Sequence, residues 1–103
     1  MFTSVPVPRE ISMSRTTRTV VVASRVGLHA RPAMLFTQAA AATGLPVTIA
    51  KAGGDPVDAT SILGVMALGA KHGEEVVLTA EGDGADEALE SLVALLSRDL
   101  DAE

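Results

Sequence analysis

The chain has 103 residues, enough for one domain, and 48% of them are hydrophobic although only two, both Phe, are aromatic. With no Cys and only two His, the sequence excludes a disulfide framework and a cysteine nucleophile and indicates no metal site. The net charge of −5 argues against nucleic acid as the main partner, and the longest apolar run, nine residues at 62–70, is far shorter than the roughly 20 of a membrane span. We therefore expect one small cytoplasmic domain that contacts neither nucleic acid nor membrane.

The first part of the chain predicts an extension, a strand and a helix. Residues 1–18 show mixed polarity, two Pro and no apolar period, which is typical of a flexible extension. The β-branched run at residues 20–22 predicts a strand that begins at Thr19. Because Pro is tolerated in the first helical turn, Pro32 is compatible with a helix over about residues 30–42.

The remainder of the chain predicts three more strands and two more helices. Residues 47–51 alternate in polarity, and residues 57–59, which follow a Gly-Gly-Asp-Pro turn, form a short returning strand. A short helix then reaches about Leu68, and a strand at residues 75–81 precedes a last amphipathic helix. The order β-α-β-β-α-β-α predicts a two-layer α+β domain, with one sheet and its helices on one face.

The sequence Gly-Leu-His-Ala-Arg-Pro at residues 27–32 carries the most informative chemistry. His29 directly precedes the predicted helix, whose first N–H groups lack intrahelical partners and, with the helix dipole, attract an anion. An imidazole is nucleophilic when neutral, and Arg31 adds a guanidinium that suits phosphate. This combination is typical of a histidine that accepts a phosphoryl group and holds it for transfer. The alternative is a His that caps the helix and an Arg that is merely solvated.

Two blocks of sequence resemble the HPr family, the histidine-containing phosphocarriers of the bacterial phosphoenolpyruvate:sugar phosphotransferase system. The GLHARP block after a strand is similar to the family's active-site signature, and the ATSILGVMALG block at residues 59–69 is similar to the segment around its regulatory serine. The resemblance extends over about residues 19–97. It implies the HPr-like fold, a four-stranded antiparallel sheet covered on one face by three helices, for residues 19–103.

The resemblance also implies roles for residues of the first block. His29 corresponds to the phosphoryl acceptor, modified on Nδ1, which receives the group from phosphorylated enzyme I and passes it to enzyme IIA domains for sugar uptake. Arg31 corresponds to the Arg that supports the phosphohistidine, and the backbone N–H groups of Ala30 and Arg31 are expected near the phosphate. Such a carrier is not a free-standing enzyme and needs no cofactor or metal of its own.

The second block implies a regulatory residue. Ser61 resembles the serine that HPr kinase phosphorylates in many Gram-positive bacteria, which would make HPr kinase and transcription regulators further partners. Ser and Thr are also preferred helix N-caps, so a cap formed by Thr60 or Ser61 explains the sequence without regulation. The sequence leaves both interpretations open.

Five apolar residues on the first two predicted helices are candidates for partner binding, namely Met34, Leu35, Ile62, Leu63 and Met66. In HPr proteins the exposed faces of these helices dock enzyme I and enzyme IIA domains, and the family default is a monomer. An apolar patch beside a reactive residue marks an interaction surface, and flexible Met suits several partners. The alternative for each residue is ordinary core packing, the role expected of Ala33, Phe36 and Ala40.

Other functions compete with the carrier. The nearest is an HPr-like regulatory or nitrogen-branch paralogue that acts mainly through protein binding. Some regulatory paralogues lack the active-site His, and this chain keeps His29, which favours a working carrier. A plain interaction module predicts no phosphorylation at His29, and a small hydrolase would need a triad or metal constellation that the sequence lacks. His72 matches neither block and is expected to be a surface residue in a turn.

Overall fold

The chain folds into four strands and three helices in the predicted order, as a computed structural model that describes residues 15–98 shows. The elements are β1 (Arg15–Val21), α1 (Ala30–Ala42), β2 (Val47–Lys51), β3 (Val57–Asp58), α2 (Ile62–Ala67), β4 (Glu75–Glu81) and α3 (Ala85–Leu96). The α+β class is confirmed, and the bounds of α1 and β4 agree with the prediction to the residue.

The four strands form one antiparallel sheet in the order β1-β4-β2-β3. Side chains alternate between its two faces, and those on the inner face, such as Val20, Leu78 and Ile49, are buried. On the outer face Thr17 lies opposite Thr79, with their hydroxyl oxygens 3.4 Å apart. The helices pack on the inner face, so the predicted two-layer, HPr-like arrangement is confirmed.

The core between sheet and helices consists mainly of small aliphatic side chains. α1 turns Ala33, Phe36 and Ala40 toward it, and all three are fully buried, as predicted. Because Phe36 is the one aromatic side chain among residues 15–98, the remaining stability depends on close packing of short side chains. α3 contributes four buried residues at helical spacing, namely Ala85, Leu89, Leu92 and Leu96.

The first strand begins earlier than the sequence predicts. β1 starts at Arg15 rather than at Thr19, so the predicted start of this strand is wrong and residues 15–18, assigned to the extension, form part of the sheet. Residues 1–14 of the predicted extension lie outside the described residues. A smaller difference is that β3 ends at Asp58 instead of residue 59.

Residues 15–18 form part of a strand although they are polar, because carboxylates on neighbouring elements pair with their two Arg side chains. Arg15 contacts Glu81, its cross-strand partner on β4, at 3.2 Å. Arg18 points to the inner face but reaches out to α3, where it contacts Asp86 at 3.0 Å and Glu90 at 3.4 Å. These partners are distant in sequence, so no local pattern indicates them.

Candidate functional site

The loop between β1 and α1, residues 22–29, is fastened to the turn that precedes β4. The Val22 N–H donates to the Glu74 carbonyl at 3.0 Å, and the Gly73 N–H donates back to the Val22 carbonyl at 2.9 Å. At the other end of the loop, the Leu28 N–H donates to the Ala70 carbonyl at 2.9 Å. Both ends of the loop are therefore held by main-chain hydrogen bonds to one short segment.

Gly27 allows the loop to approach that segment closely. Its φ is +73°, and a Cβ at this position would lie 2.4 Å from the Ala70 carbonyl oxygen. Real Cβ atoms do not approach so near, so both the backbone conformation and the contact require glycine. The next residue, Leu28, is buried in the core, and the chain then emerges to the surface at His29.

Ser24 closes a tight turn within this loop. Its carbonyl accepts a hydrogen bond from the Gly27 N–H at 3.0 Å, while the neighbouring Ala23 N–H donates to the Leu96 carbonyl of α3 at 3.1 Å. The Ser24 side chain is buried, but its hydroxyl has no hydrogen-bond partner within residues 15–98. The turn therefore depends on main-chain groups rather than on this hydroxyl.

His29 is the N-cap residue of α1, directly before the helix as predicted, and its side chain is exposed. Its backbone is extended, with φ −140° and ψ 154°, and its side chain makes no capping hydrogen bond. Its carbonyl accepts a long hydrogen bond of 3.5 Å from the Ala33 N–H. The imidazole therefore stands at the helix end without a hydrogen bond to the first turn, which contradicts the alternative of a histidine whose side chain caps the helix.

The N-terminus of α1 differs from those of α2 and α3. The first turn of α1 contains no acidic residue, whereas that of α3 contains Asp86 and Glu87, whose charges favour its positive dipole end. The first turn of α2 is capped by Ser61, whose Oγ accepts a hydrogen bond from the Gly64 N–H at 3.1 Å. Of these three termini, α1 alone lacks both a side-chain cap and an acid, so it suits an anion from outside.

Ala30 has an unusual backbone conformation beside His29. Its φ is +50°, the one positive value of a non-glycine residue in the described part of the chain. The left-handed region costs an L-residue about 1–2 kcal/mol, and such residues concentrate at functional sites. Ala30 and Arg31 are both exposed in the first turn of α1, where Pro32 has no N–H to donate.

Three of the five predicted partner-binding residues are exposed apolar side chains on α1 and α2, which pack against each other. Leu63 is 78% exposed, Met34 41% and Ile62 40%. Leu35 and Met66 are half-buried, and Met66 packs against the core, as the alternative of core packing anticipated. We use the name apolar patch for Met34, Ile62 and Leu63.

The structure connects His72 to this loop, which the sequence did not reveal. His72 is exposed in the turn before β4, as predicted, but its Nδ1 lies 3.3 Å from the carbonyl oxygen of Ser24, 48 residues earlier in the chain. The sequence carries no signal for this contact, because the partner atom belongs to the main chain and the separation is long.

Glu74 stabilises the same turn. Its carboxylate accepts a hydrogen bond from the Lys71 N–H at 2.8 Å and lies 3.6 Å from the Lys51 ammonium. The hydrogen bond from Lys71 is the main reason why the pKa of Glu74 lies below its ordinary value, with the charge of Lys51 adding to it against a desolvation cost. Because the folded-state pKa is lowered, this contribution is present above the unfolded-state pKa and is lost as acid protonates the group.

Comparison with known proteins identifies the family. Residues 16–98 match the PTS-HPr family, described as the phosphorylation site of the PTS HPr component. The chain belongs to the HPr family. A phosphocarrier protein HPr from Streptomyces coelicolor is 55% identical to it over 84 residues, 82% of this chain and 90% of that protein.

Two further HPr relatives extend the comparison. The HPr-like protein Crh of Bacillus subtilis is 42% identical over 81 residues, 79% of this chain and 94% of that protein. The crystal structure of HPr from Bacillus anthracis matches with a TM-score of 0.76 and 40% identity, over 81% of this chain and 98% of that one. HPr proteins carry phosphoryl groups rather than catalyse a reaction. No helix within residues 15–98 is long and apolar enough to cross a membrane.

The close approach at Gly27 predicts a specific loss of stability. Gly27→Ala should lower the free energy of unfolding by about 3 kcal/mol or more, because left-handed strain is added to overlap with the Ala70 carbonyl. Gly44 is a matched control, since its φ of +72° is similar but a Cβ there would contact nothing within 4 Å. Gly44→Ala should cost only the left-handed penalty of about 1–2 kcal/mol. Urea unfolding measures both values, and equal losses would contradict the requirement for close approach.

Proposed function

We propose that this HPr protein accepts a phosphoryl group on His29 from phosphorylated enzyme I and passes it to enzyme IIA domains for sugar uptake, in the cytoplasm. The main support is the position of His29, exposed at a helix N-terminus that has neither a side-chain cap nor an acid in its first turn. The family of phosphocarriers to which the chain belongs supports the same transfer.

The chemistry needs a neutral imidazole and a place for the phosphoryl oxygens. The Nδ1 lone pair of His29 attacks the phosphorus, a new N–P bond forms, and the bonding electron pair of the donor's N–P bond returns to the donor's imidazole. The backbone N–H groups of Ala30 and Arg31 lie at the positive end of α1, directly after His29 in the chain. In this proposal they donate hydrogen bonds to the phosphoryl oxygens. The Arg31 guanidinium adds a further donor set that suits a phosphoryl group.

A carrier needs a phosphohistidine that is only weakly stabilised, so that the phosphoryl group can be passed on. A helix terminus contributes about 0.3–1 kcal/mol to an exposed anion, so the phosphohistidine is supported without being trapped. Exposure of His29 lets two different proteins reach the same atom in turn. In this proposal the apolar patch provides the contact surface for both partners, and the protein acts as a monomer with no metal or cofactor of its own.

A regulatory role is the second candidate, favoured by the 42% identity to the HPr-like protein Crh. In that role Ser61 would be the phosphorylated residue and protein binding would matter more than transfer. Ser61 Oγ already accepts a hydrogen bond from the Gly64 N–H and is half-buried, so its cap function accounts for a serine at this position. A nitrogen-branch carrier would use His29 in the same way and differ only in its partners.

The carrier function is tested by measuring the intact mass of the protein after incubation with a phosphoryl donor. The protein is mixed with enzyme I from the same organism and phosphoenolpyruvate, with the His29→Ala variant alongside. We expect one added phosphoryl group, lost in mild acid because an N–P bond is acid-labile, and no addition to the variant. No added phosphoryl group on the unaltered chain would contradict the carrier function and favour a binding or regulatory module.

Arg31 should affect the rate of transfer rather than the fold. Arg31→Ala should slow phosphorylation by roughly tenfold, the equivalent of one charge-assisted hydrogen bond of about 1.5 kcal/mol. Arg31→Lys should give an intermediate rate, because it keeps the charge but loses the planar fork. Rapid-quench kinetics measure the rates, and circular dichroism should show that both variants stay folded, because Arg31 is exposed and lies outside the core. Unchanged kinetics in Arg31→Ala would remove Arg31 from the site.

The apolar patch should govern affinity for enzyme I. Leu63→Ser should raise the KM for enzyme I by roughly fivefold with little change in kcat, as expected for losing about 1 kcal/mol of apolar burial at an interface. Val21→Ser is the matched control, because Val21 is also exposed, at 48%, but lies on β1 outside the patch. Similar KM values for the two variants would show that the patch is not the docking surface.

A further inference from the structure

We propose that His72 is a positioning residue for phosphoryl transfer, and that its Nδ1–H holds the main-chain carbonyl of Ser24 so that the loop presents His29 correctly. This inference rests on the proposed function of His29. The observation that carries it is the 3.3 Å distance between His72 Nδ1 and the Ser24 carbonyl oxygen.

The turn that carries His72 is itself well fixed. The Glu74 N–H donates to the Lys71 carbonyl at 3.0 Å, and the Glu74 carboxylate accepts from the Lys71 N–H at 2.8 Å, so the two ends of the turn are joined twice. The Gly73 N–H then donates to the Val22 carbonyl at 2.9 Å. His72 lies between these contacts, and its ring therefore extends from a rigid support toward the loop.

The chemistry of the contact fixes the tautomer of His72. A carbonyl oxygen only accepts hydrogen bonds, so Nδ1 must carry the proton whenever the ring holds Ser24. In the neutral ring Nε2 then carries no proton. The opposite tautomer would place a nitrogen lone pair against the oxygen lone pairs and break the contact.

The Ser24 carbonyl gains a second hydrogen bond from His72, which restrains the turn that leads to His29. It already closes the turn to Gly27 at 3.0 Å, and the Ser24 hydroxyl adds no hydrogen bond within residues 15–98. Leu28 follows this turn, and its N–H donates to the Ala70 carbonyl. The turn and this hydrogen bond together set the direction in which the chain enters His29. Reacting atoms must be placed to within about 1 Å for efficient transfer, so a looser turn slows the reaction without unfolding the domain.

Nitrogen NMR of the unphosphorylated protein tests the contact directly. At a pH where the ring is neutral, the Nδ1 of His72 should have the shift of a protonated nitrogen and Nε2 that of an unprotonated one. An exposed imidazole without a partner shows mainly the opposite tautomer in water. Finding that opposite tautomer for His72 would overturn the proposal, and this readout does not depend on whether His29 is phosphorylated.

Three substitutions of His72 separate the hydrogen bond from mere packing. His72→Asn keeps an N–H donor at the position of Nδ1, whereas His72→Gln moves it to the position of Nε2, and His72→Ala removes it. We expect phosphorylation by enzyme I to slow about fivefold in the Ala and Gln variants, the effect of one ordinary hydrogen bond, and to recover to within about twofold in the Asn variant.

Hydrogen exchange at the Gly27 amide gives a second readout that needs no enzyme I. That N–H donates to Ser24, so its exchange should accelerate in the Ala and Gln variants and stay slow in the Asn variant. Equal rates and equal exchange in all three variants would overturn the role of His72. If the unaltered chain accepts no phosphoryl group, the proposed function fails, and the Gly27 exchange and the His72 tautomer still decide whether the contact exists.

Discussion

The approach of two backbone segments at Gly27 and Ala70 is the constraint on which the site depends. A side chain at residue 27 would overlap the Ala70 carbonyl, and the Leu28 N–H donates to that same oxygen. The segment after α2 is thereby fixed against the loop that leads into α1. Leu63 on α2 and His29 at the start of α1 are therefore held in a fixed relation, so a partner that docked on the apolar patch, as proposed, would meet the His29 imidazole in a defined position.

The N-termini of the three helices differ in the groups that satisfy their positive dipole ends. Ser61 uses its side chain to satisfy the first turn of α2, and Asp86 and Glu87 place negative charge on the first turn of α3. Arg18 then contacts Asp86, so that acidic turn is also joined to β1. The terminus of α1 has neither a side-chain cap nor an acid, so its positive dipole end suits an external anion, as the proposed phosphoryl transfer to His29 requires.

Much of the fold follows from the sequence because its signals are local. The alternation of residues 75–81 predicted β4, and Pro32 with the segment after it predicted α1, both with the bounds that the structure has. The block around His29 indicated the candidate phosphoryl acceptor, which the structure places exposed at the N-terminus of α1. The start of β1 was missed because Arg15 and Arg18 satisfy their charges on β4 and α3, far along the chain. The contact of His72 was missed for a similar reason, since it involves a main-chain carbonyl 48 residues away.

The proposed transfer needs an exposed acceptor nitrogen in a well-defined position, and both needs together are not met by packing side chains around His29. The structure meets them with the backbone. Main-chain hydrogen bonds at Val22, Leu28 and Gly73 hold the loop, and Ala30 accepts a left-handed conformation at a cost of about 1–2 kcal/mol. None of these hydrogen bonds uses the His29 side chain, which stays exposed, so both of the proposed partner proteins have access to its imidazole.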